Sequence, residues 1–372
     1  MAKRIPINEL AEGMIVEQGI YLGDEDRTAL VGKNAVLTNY LIEKLKSRGV
    51  KDVQVITDKR PSGLIELPPP KPVIDPRLRR DAIISLKEMF AVAELGESEL
   101  HNSAKAVKQV DMAVQHLVLN LTKDKRALVN IRDLKSFDDY TYHHSLSVTV
   151  LAVAIAQEMG MSSKNLNLIG KCGMLHDIGK TAIPIEIINK KAKLSDDEFS
   201  LIQNHSPEGY YYLARRHIGA EELWEAVMFH HEKFDGSGYP KGLKEEEIPL
   251  MSRIISVADV YDALTSNRPY RMPMQPAEAV EYIMAGVGTS FDYDVVVAFI
   301  NKLELYPLGS FVELSNGKIA VVLSNDFPLR PVVQMMDTGE IFDLYNDWRH
   351  LSLTIKRVFT EPAATSTAED SI

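Results

Sequence analysis

Apolar positions change their spacing several times along the chain. In residues 1–58 they come in short runs: Ile5, Ile7 and Leu10, then Met14-Ile15-Val16, then Ile20-Tyr21-Leu22. Gly13 and the acidic turn Gly23-Asp24-Glu25-Asp26 separate them, a pattern that predicts strands. Positions 38–48 predict a helix, with Thr38 as N-cap, Leu41, Ile42 and Leu45 on one face, and Gly49 as the stop. Positions 50–56 alternate apolar and polar and predict a closing strand. Six prolines (61, 68, 69, 70, 72 and 76) then predict an extended linker over 59–76. Helical spacing follows in 77–135. One helix is predicted over 78–95. A second spans 98–121, with Val107, Val110, Val114, Leu117 and Leu121 on one face.

Residues 136–302 predict helices throughout. They cover about 140–157, 165–175, 224–231, 249–264, 276–285 and 294–303. Ser195 with Glu198 three residues on is a capping-box signature for a further helix. From 303 to 360 the runs shorten again. Positions 311–314, 319–323 and 332–336 read as strands, and Asn316-Gly317 is a hairpin signal. The polar tail 361–372 is expected to be disordered. The expected fold is mainly α: a helical bundle, with a small α/β N-terminal domain and a small β C-terminal appendage.

Composition narrows the function. The chain has 372 residues, a formal net charge of −10 and a single cysteine. An acidic chain lacks the basic footprint of a duplex nucleic-acid binder. One cysteine, Cys172, excludes an internal disulfide and a cysteine-rich zinc site. No apolar run is long enough for a membrane span, and the first residues lack a signal-peptide core, so the cytoplasm is the expected location.

The candidate chemistry lies in 136–302. His176-Asp177 ends an apolar helix, where burying both would cost several kcal/mol without compensation. On the pair alone, a helix cap with a solvated acid is the commoner meaning. Further polar residues stand in marked contexts: His144-Ser145, His205-Ser206-Pro207 and His230-His231-Glu232. Asp259 interrupts the apolar run Ile254-Ile255-Ser256-Val257-Ala258. Inward His and carboxylates on helices form a recurrent metal-site architecture. Five histidines and two aspartates are too many for one ion with open positions and suit two ions sharing a carboxylate. His143 competes with His144, because adjacent helix residues point about 100° apart. His101 and His116 read as surface or core histidines, and His217 and His350 as solvent histidines.

Several long stretches together resemble the HD-GYP family of HD metal-dependent phosphohydrolases. They are Asp138-Asp139-Tyr140-Thr141-Tyr142-His143-His144-Ser145, Leu175-His176-Asp177-Ile178-Gly179-Lys180, Ile202-Gln203-Asn204-His205-Ser206-Pro207, His230 through Pro240, and Ser256 through Arg271. The resemblance implies a bacterial enzyme that hydrolyses cyclic di-GMP to linear pGpG and onward to GMP, or 3′,3′-cyclic GMP-AMP. It implies two divalent transition metals, iron or manganese, held by His144, His176, Asp177, His205, His230, His231 and Asp259. Asp177 would bridge. His144, His176 and Asp259 would favour one ion, and His205, His230 and His231 the other. Some members hold a third metal with a Glu where this chain has Tyr140, so two are expected. Lys180, with the metals, would offset charge on the phosphate, its bland alternative being an ion pair with an acid such as Asp138. Asp138 would orient water or pass a proton. Arg268 and Arg271 are candidate substrate contacts. Tyr239 would stack on a base or pack the turn built by Gly236, Gly238 and Pro240. Diguanylate-cyclase-type proteins at the Gly-Tyr-Pro segment and a second copy of the chain are the expected partners. The alternative function is a cyclic-dinucleotide or protein-binding module with slow turnover.

Overall fold

The computed structural model describes residues 2–11, 14–16, 20, 31, 37, 39–56, 73–95, 100–123, 129, 140–190, 192–266 and 273–359. The Pro-rich stretch 59–72 and the tail 361–372 lie outside them. The chain divides into two units. One gathers Met1–Pro70 and Tyr306–Ile372, and the other is Lys71–Leu305.

The N-terminal part of the first unit is an antiparallel sheet: β1 (Ala2–Pro6), β2 (Ile15–Val16) and β3 (Asp52–Ile56), in the order β1-β3-β2. Helix α1 (Asn39–Ser47) buries Ile42 and Leu45 in a core with Val53 and Val55. The alternation of β3 explains this, since Val53 and Val55 share one face of the strand.

The second unit is helical. Helix α2 (Pro76–Glu94) starts with Asp75 accepting from the Arg77 amide, and with proline in its first turn. Helix α3 (Leu100–Leu121) buries Ala106, Val110, Ala113, Val114, Leu117 and Leu121, a stripe of helical period. Both pack on the central helix α4 (Tyr140–Glu158). From His144 to Ala156 every residue of α4 is buried. A helix apolar all round must be surrounded. Its hydroxyls bond within the helix: Thr149 Oγ1 donates to the Ser145 carbonyl at 2.7 Å.

Helix α5 (Ser163–Leu175) lies close against α4. A 3-10 turn (Ile178–Ala182) and the short α6 (Ile185–Ile188) follow. Helix α7 (Asp196–Gln203) has the full capping box of Ser195 and Glu198, and α8 (His205–Arg215) continues almost without a break. Helices α9 (Glu221–Phe229), α10 (Leu250–Thr265), α11 (Pro276–Ala285) and α12 (Tyr293–Lys302) complete the unit. No helix among the described residues is long and apolar enough to cross a membrane.

The C-terminal part of the first unit is a five-stranded antiparallel sheet. It comprises β4 (Phe311–Leu314), β5 (Ile319–Ser324), β6 (Val332–Met335), β7 (Ile341–Asp343) and β8 (Ile355–Phe359), ordered β7-β6-β5-β4-β8. Sequence spacing did not predict β7 and β8. His350 is not a solvent histidine: its ring stacks on Phe342 with centroids 3.9 Å apart.

The α4–α5 approach generates a prediction. A Cβ on Gly173 would lie 2.7 Å from the Thr149 Cα, which belongs to backbone and cannot swing away. Gly173→Ala should destabilise by about 1–3 kcal/mol. A lower midpoint in denaturant unfolding checks this, and an unchanged midpoint would show that the two helices separate at little cost.

Candidate metal centre

Three histidines enter the centre from helix ends. His176 caps α5, His230 caps α9, and His205 opens α8 immediately after the cap of α7. The last carbonyls of a helix lack intrahelical donors, and each ring takes one of them. The Nδ1–H of His176 donates to the Gly173 carbonyl at 2.8 Å, that of His205 to Ile202 at 2.6 Å, and that of His230 to Val227 at 2.7 Å. A carbonyl only accepts, so Nδ1 holds the proton and Nε2 presents a lone pair. All three rings are buried.

His144 enters from the first turns of α4. Its Nδ1–H donates to Asp262 Oδ2 at 2.7 Å, and its Nε2 lies 3.1 Å from Asp259 Oδ1. The two acids are three residues apart on α10 and so share a face. Of the adjacent pair, His144 faces the centre, while His143 Nδ1 lies 3.5 Å from Arg79 Nη2. Asp177, only 1% exposed, sits among these groups. Its Oδ2 is 2.6 Å from Lys180 Nζ, 3.2 Å from His176 Nε2 and 3.8 Å from His144 Nε2; its Oδ1 is 3.5 Å from His205 Nε2.

The ligand-type atoms of His144, His176 and Asp259 all lie within 4.8 Å of one another, and so do those of His205, His230 and His231. These are the two trios named from the sequence, and Asp177 reaches into both. Lys180 pairs with Asp177. Asp138, Arg268 and Arg271 lie outside the described residues, as does the Tyr140 side chain.

The electrostatics divide the ring nitrogens. Burial lowers His230 well below the usual histidine range and His205 below it too. Burial also lowers His231 to about 3, although its side chain keeps 26% exposure. Burial opposes the charge on Asp177, yet His176, Lys180 and His205 outweigh it and hold the carboxyl well below its usual range. Asp259 is likewise depressed by its bond to His144, against burial. For His144, burial works downward, but Asp259 and Asp262 override it and push the ring up to about 9.

Close backbone approaches hold the frame. A Cβ on Gly179 would fall 1.9 Å from the His205 carbonyl oxygen and 2.4 Å from the Gly209 amide. The turn after His176-Asp177 therefore lies directly on the start of α8. Glu232, 2% exposed, accepts the amides of Lys241 at 2.7 Å, Gly242 at 3.1 Å and Leu243 at 3.2 Å. It folds the Gly-Tyr-Pro segment back on itself. The Tyr239 ring stacks on His231, with centroids 4.8 Å apart and planes 28° off parallel. Tyr239 thus packs against the centre.

Sequence reasoning missed the roles of Asp262 and Glu232. Asp262 had a signal: a second acid one turn after Asp259 in an apolar helix. Nothing in residue type distinguishes the buried Glu232 from the exposed Glu245 and Glu246 beyond it.

A family model described as HD domain matches residues 112–295. A cyclic di-GMP phosphodiesterase of Pseudomonas aeruginosa is 32% identical over 342 residues, covering 87% of this chain and 82% of that protein. The chain belongs to the HD-GYP family. A cyclic di-GMP phosphodiesterase of Thermotoga maritima is 42% identical over 168 residues, 45% of each chain. The 3′3′-cGAMP-specific phosphodiesterase 1 of Vibrio cholerae is 38% identical over 185 residues, 49% of this chain and 42% of that one. The HD domain family is metal-dependent.

The residues of this HD-GYP centre fit divalent ions on their own chemistry. His176 Nε2 is buried and makes no hydrogen bond to any described residue. Neutral histidines and ionised carboxylates are the forms that ligate metals, and burial and mutual charge produce those forms here for His205, His230, His231, Asp177 and Asp259.

Two predictions follow from this geometry. Asp262→Ala removes the acceptor that orients His144 and should weaken Mn²⁺ binding about 10–100-fold. Calorimetric titration of chelator-treated protein measures it, and unchanged affinity would remove Asp262 from this role. Gly179→Ala should destabilise by about 3 kcal/mol, near the upper end of overpacking costs, because the clash is with backbone. Thermal unfolding reads the loss; a variant melting with the parent would mean the turn re-seats freely.

Proposed function

We propose that this chain is a metal-dependent phosphodiesterase that opens a cyclic dinucleotide, cyclic di-GMP first and 3′,3′-cGAMP second. The observation that carries this is the pair of His-rich trios reached by one buried carboxylate, Asp177. His144, His176 and Asp259 would hold one ion, His205, His230 and His231 the other, with Asp177 shared. The mixed imidazole and carboxylate set suits iron or manganese. Bound there, such ions supply Lewis acidity toward phosphoryl oxygens and lower the pKa of nearby water.

The chain's own residues supply the rest. Lys180 holds Asp177 in place through one N–H and has others for a non-bridging phosphate oxygen. Its side chain is 32% exposed, so substrate can reach it. His144, fixed by Asp262, presents one nitrogen inward. In the reaction, water oxygen adds to phosphorus, and the 3′ oxygen leaves and takes up a proton. The product is the linear dinucleotide, pGpG from cyclic di-GMP. Asp138 is the proposed proton carrier, and Arg268 and Arg271 the proposed phosphate or guanine contacts, on the sequence resemblance. A cytoplasmic location fits a second-messenger substrate. The Gly-Tyr-Pro segment, with Lys233, Asp235 and Ser237 exposed, is the proposed contact for diguanylate-cyclase-type proteins.

The test is anaerobically purified protein given cyclic di-GMP and 3′,3′-cGAMP side by side, with metal counted on the same sample. Cleavage with about two ions per chain is expected. His176→Ala combined with Asp177→Ala should abolish turnover and keep the helical circular dichroism signal. Undiminished turnover in that variant would place the reaction elsewhere. Metal without cleavage in the parent would favour a binding module instead.

A further inference from the structure

A cavity of about 510 Å³ opens beside Lys180 within the helical unit. We propose that it receives a purine base of the substrate and that Glu94, at the end of α2, reads that base as guanine. The inference rests on the phosphodiesterase reading above and adds the specificity of that site.

Location is the first support. Lys180 lines the cavity, and its Nζ bonds Asp177 in the centre. A ligand whose phosphate lies at Asp177 and Lys180 carries its nucleoside to within one side chain of this space. Size is the second, since small-molecule sites span roughly 300–1,000 Å³.

The walls suit a flat heteroaromatic ring. Phe90 and Tyr142 line the cavity and meet edge to face, with centroids 5.6 Å apart and planes at 85°. Ile183 is buried, whereas Ile185 at the rim is 60% exposed. A base seated there would cover that apolar surface.

Glu94 supplies the selectivity. It lines the cavity, is exposed, and makes no hydrogen bond or ion pair to any described residue. Guanine presents N1–H and N2–H side by side, two donors that match the two oxygens of one carboxylate. Adenine places a lone pair at N1 and a C–H at C2, which repels the carboxylate and offers it no donor. Attraction for one base and repulsion of the other together give discrimination. Glu94 and Phe90 lie before residue 112, where the HD-domain match begins. The reading element therefore comes from α2, outside the matched segment.

The experiment uses the full-length, metal-loaded protein and its Glu94→Gln and Glu94→Lys variants, assayed on cyclic di-GMP and cyclic di-AMP. The parent should prefer cyclic di-GMP. Glu94→Lys should lower kcat/KM for cyclic di-GMP roughly tenfold or more, through KM, as expected for losing a hydrogen bond to a charged group. Cyclic di-AMP turnover should hold or rise. Glu94→Gln, which keeps one acceptor oxygen, should fall between. Equal falls on both substrates, or no change on either, would overturn the proposal. A second readout is equilibrium binding of GMP and AMP to chelator-treated protein, where only GMP binding should weaken in Glu94→Lys. A parent that cleaves none of cyclic di-GMP, 3′,3′-cGAMP and cyclic di-AMP refutes the phosphodiesterase reading, and the GMP and AMP titrations still decide the pocket.

Discussion

Asp177 is a carboxylate kept charged where water does not reach. An isolated buried carboxylate costs several kcal/mol even after relaxation. Lys180 on one oxygen, with imidazoles around both, offsets that cost. Each of these partners has to arrive from a different element: Lys180 from the 3-10 turn, His176 from the end of α5, His205 from the start of α8, and His144 from α4. The helices must therefore meet at backbone distance, and Gly173, Gly179 and Gly209 stand where a Cβ would hold them apart. The apolar girth of α4 has the same origin, since a helix that carries a ligand inward must be wrapped on every side.

Much of the fold was legible because its punctuation is local. Pro276 and Gly286 delimit α11, Ser195 with Glu198 starts α7, and Gly49 ends the turn after α1. The strands β7 and β8 were hidden for physical reasons. β7 is three residues long with no buried position, and β8 carries Lys356 and Arg357 in its middle. Both become strands by pairing, β7 with β6 and β8 with β4, which short-range pattern does not encode.

The centre was legible by residue type but not by partner. Histidines in apolar company are conspicuous, but their division into the two groups that lie together in the fold came from the family resemblance. Residue spacing alone did not reveal that His144 turns inward and His143 toward Arg79, because the phase of α4 is set by what packs around it; only the resemblance favoured His144. Glu232 was invisible for a similar reason. Its three amide donors lie nine to eleven residues ahead and converge only when the Gly-Tyr-Pro segment folds over.

The helix-end histidines carry a consequence for how the centre tolerates sequence drift. His176, His205 and His230 take their orientation from main-chain carbonyls three residues back. A main-chain acceptor survives replacement of the side chain above it, so Ile202 and Val227 can change without turning a ring. His144 hangs on the side chain of Asp262. The centre thus has three histidines with orientation that is robust to mutation and one exposed to a single codon. A degenerating copy of this protein would lose the arrangement first on the α10 side.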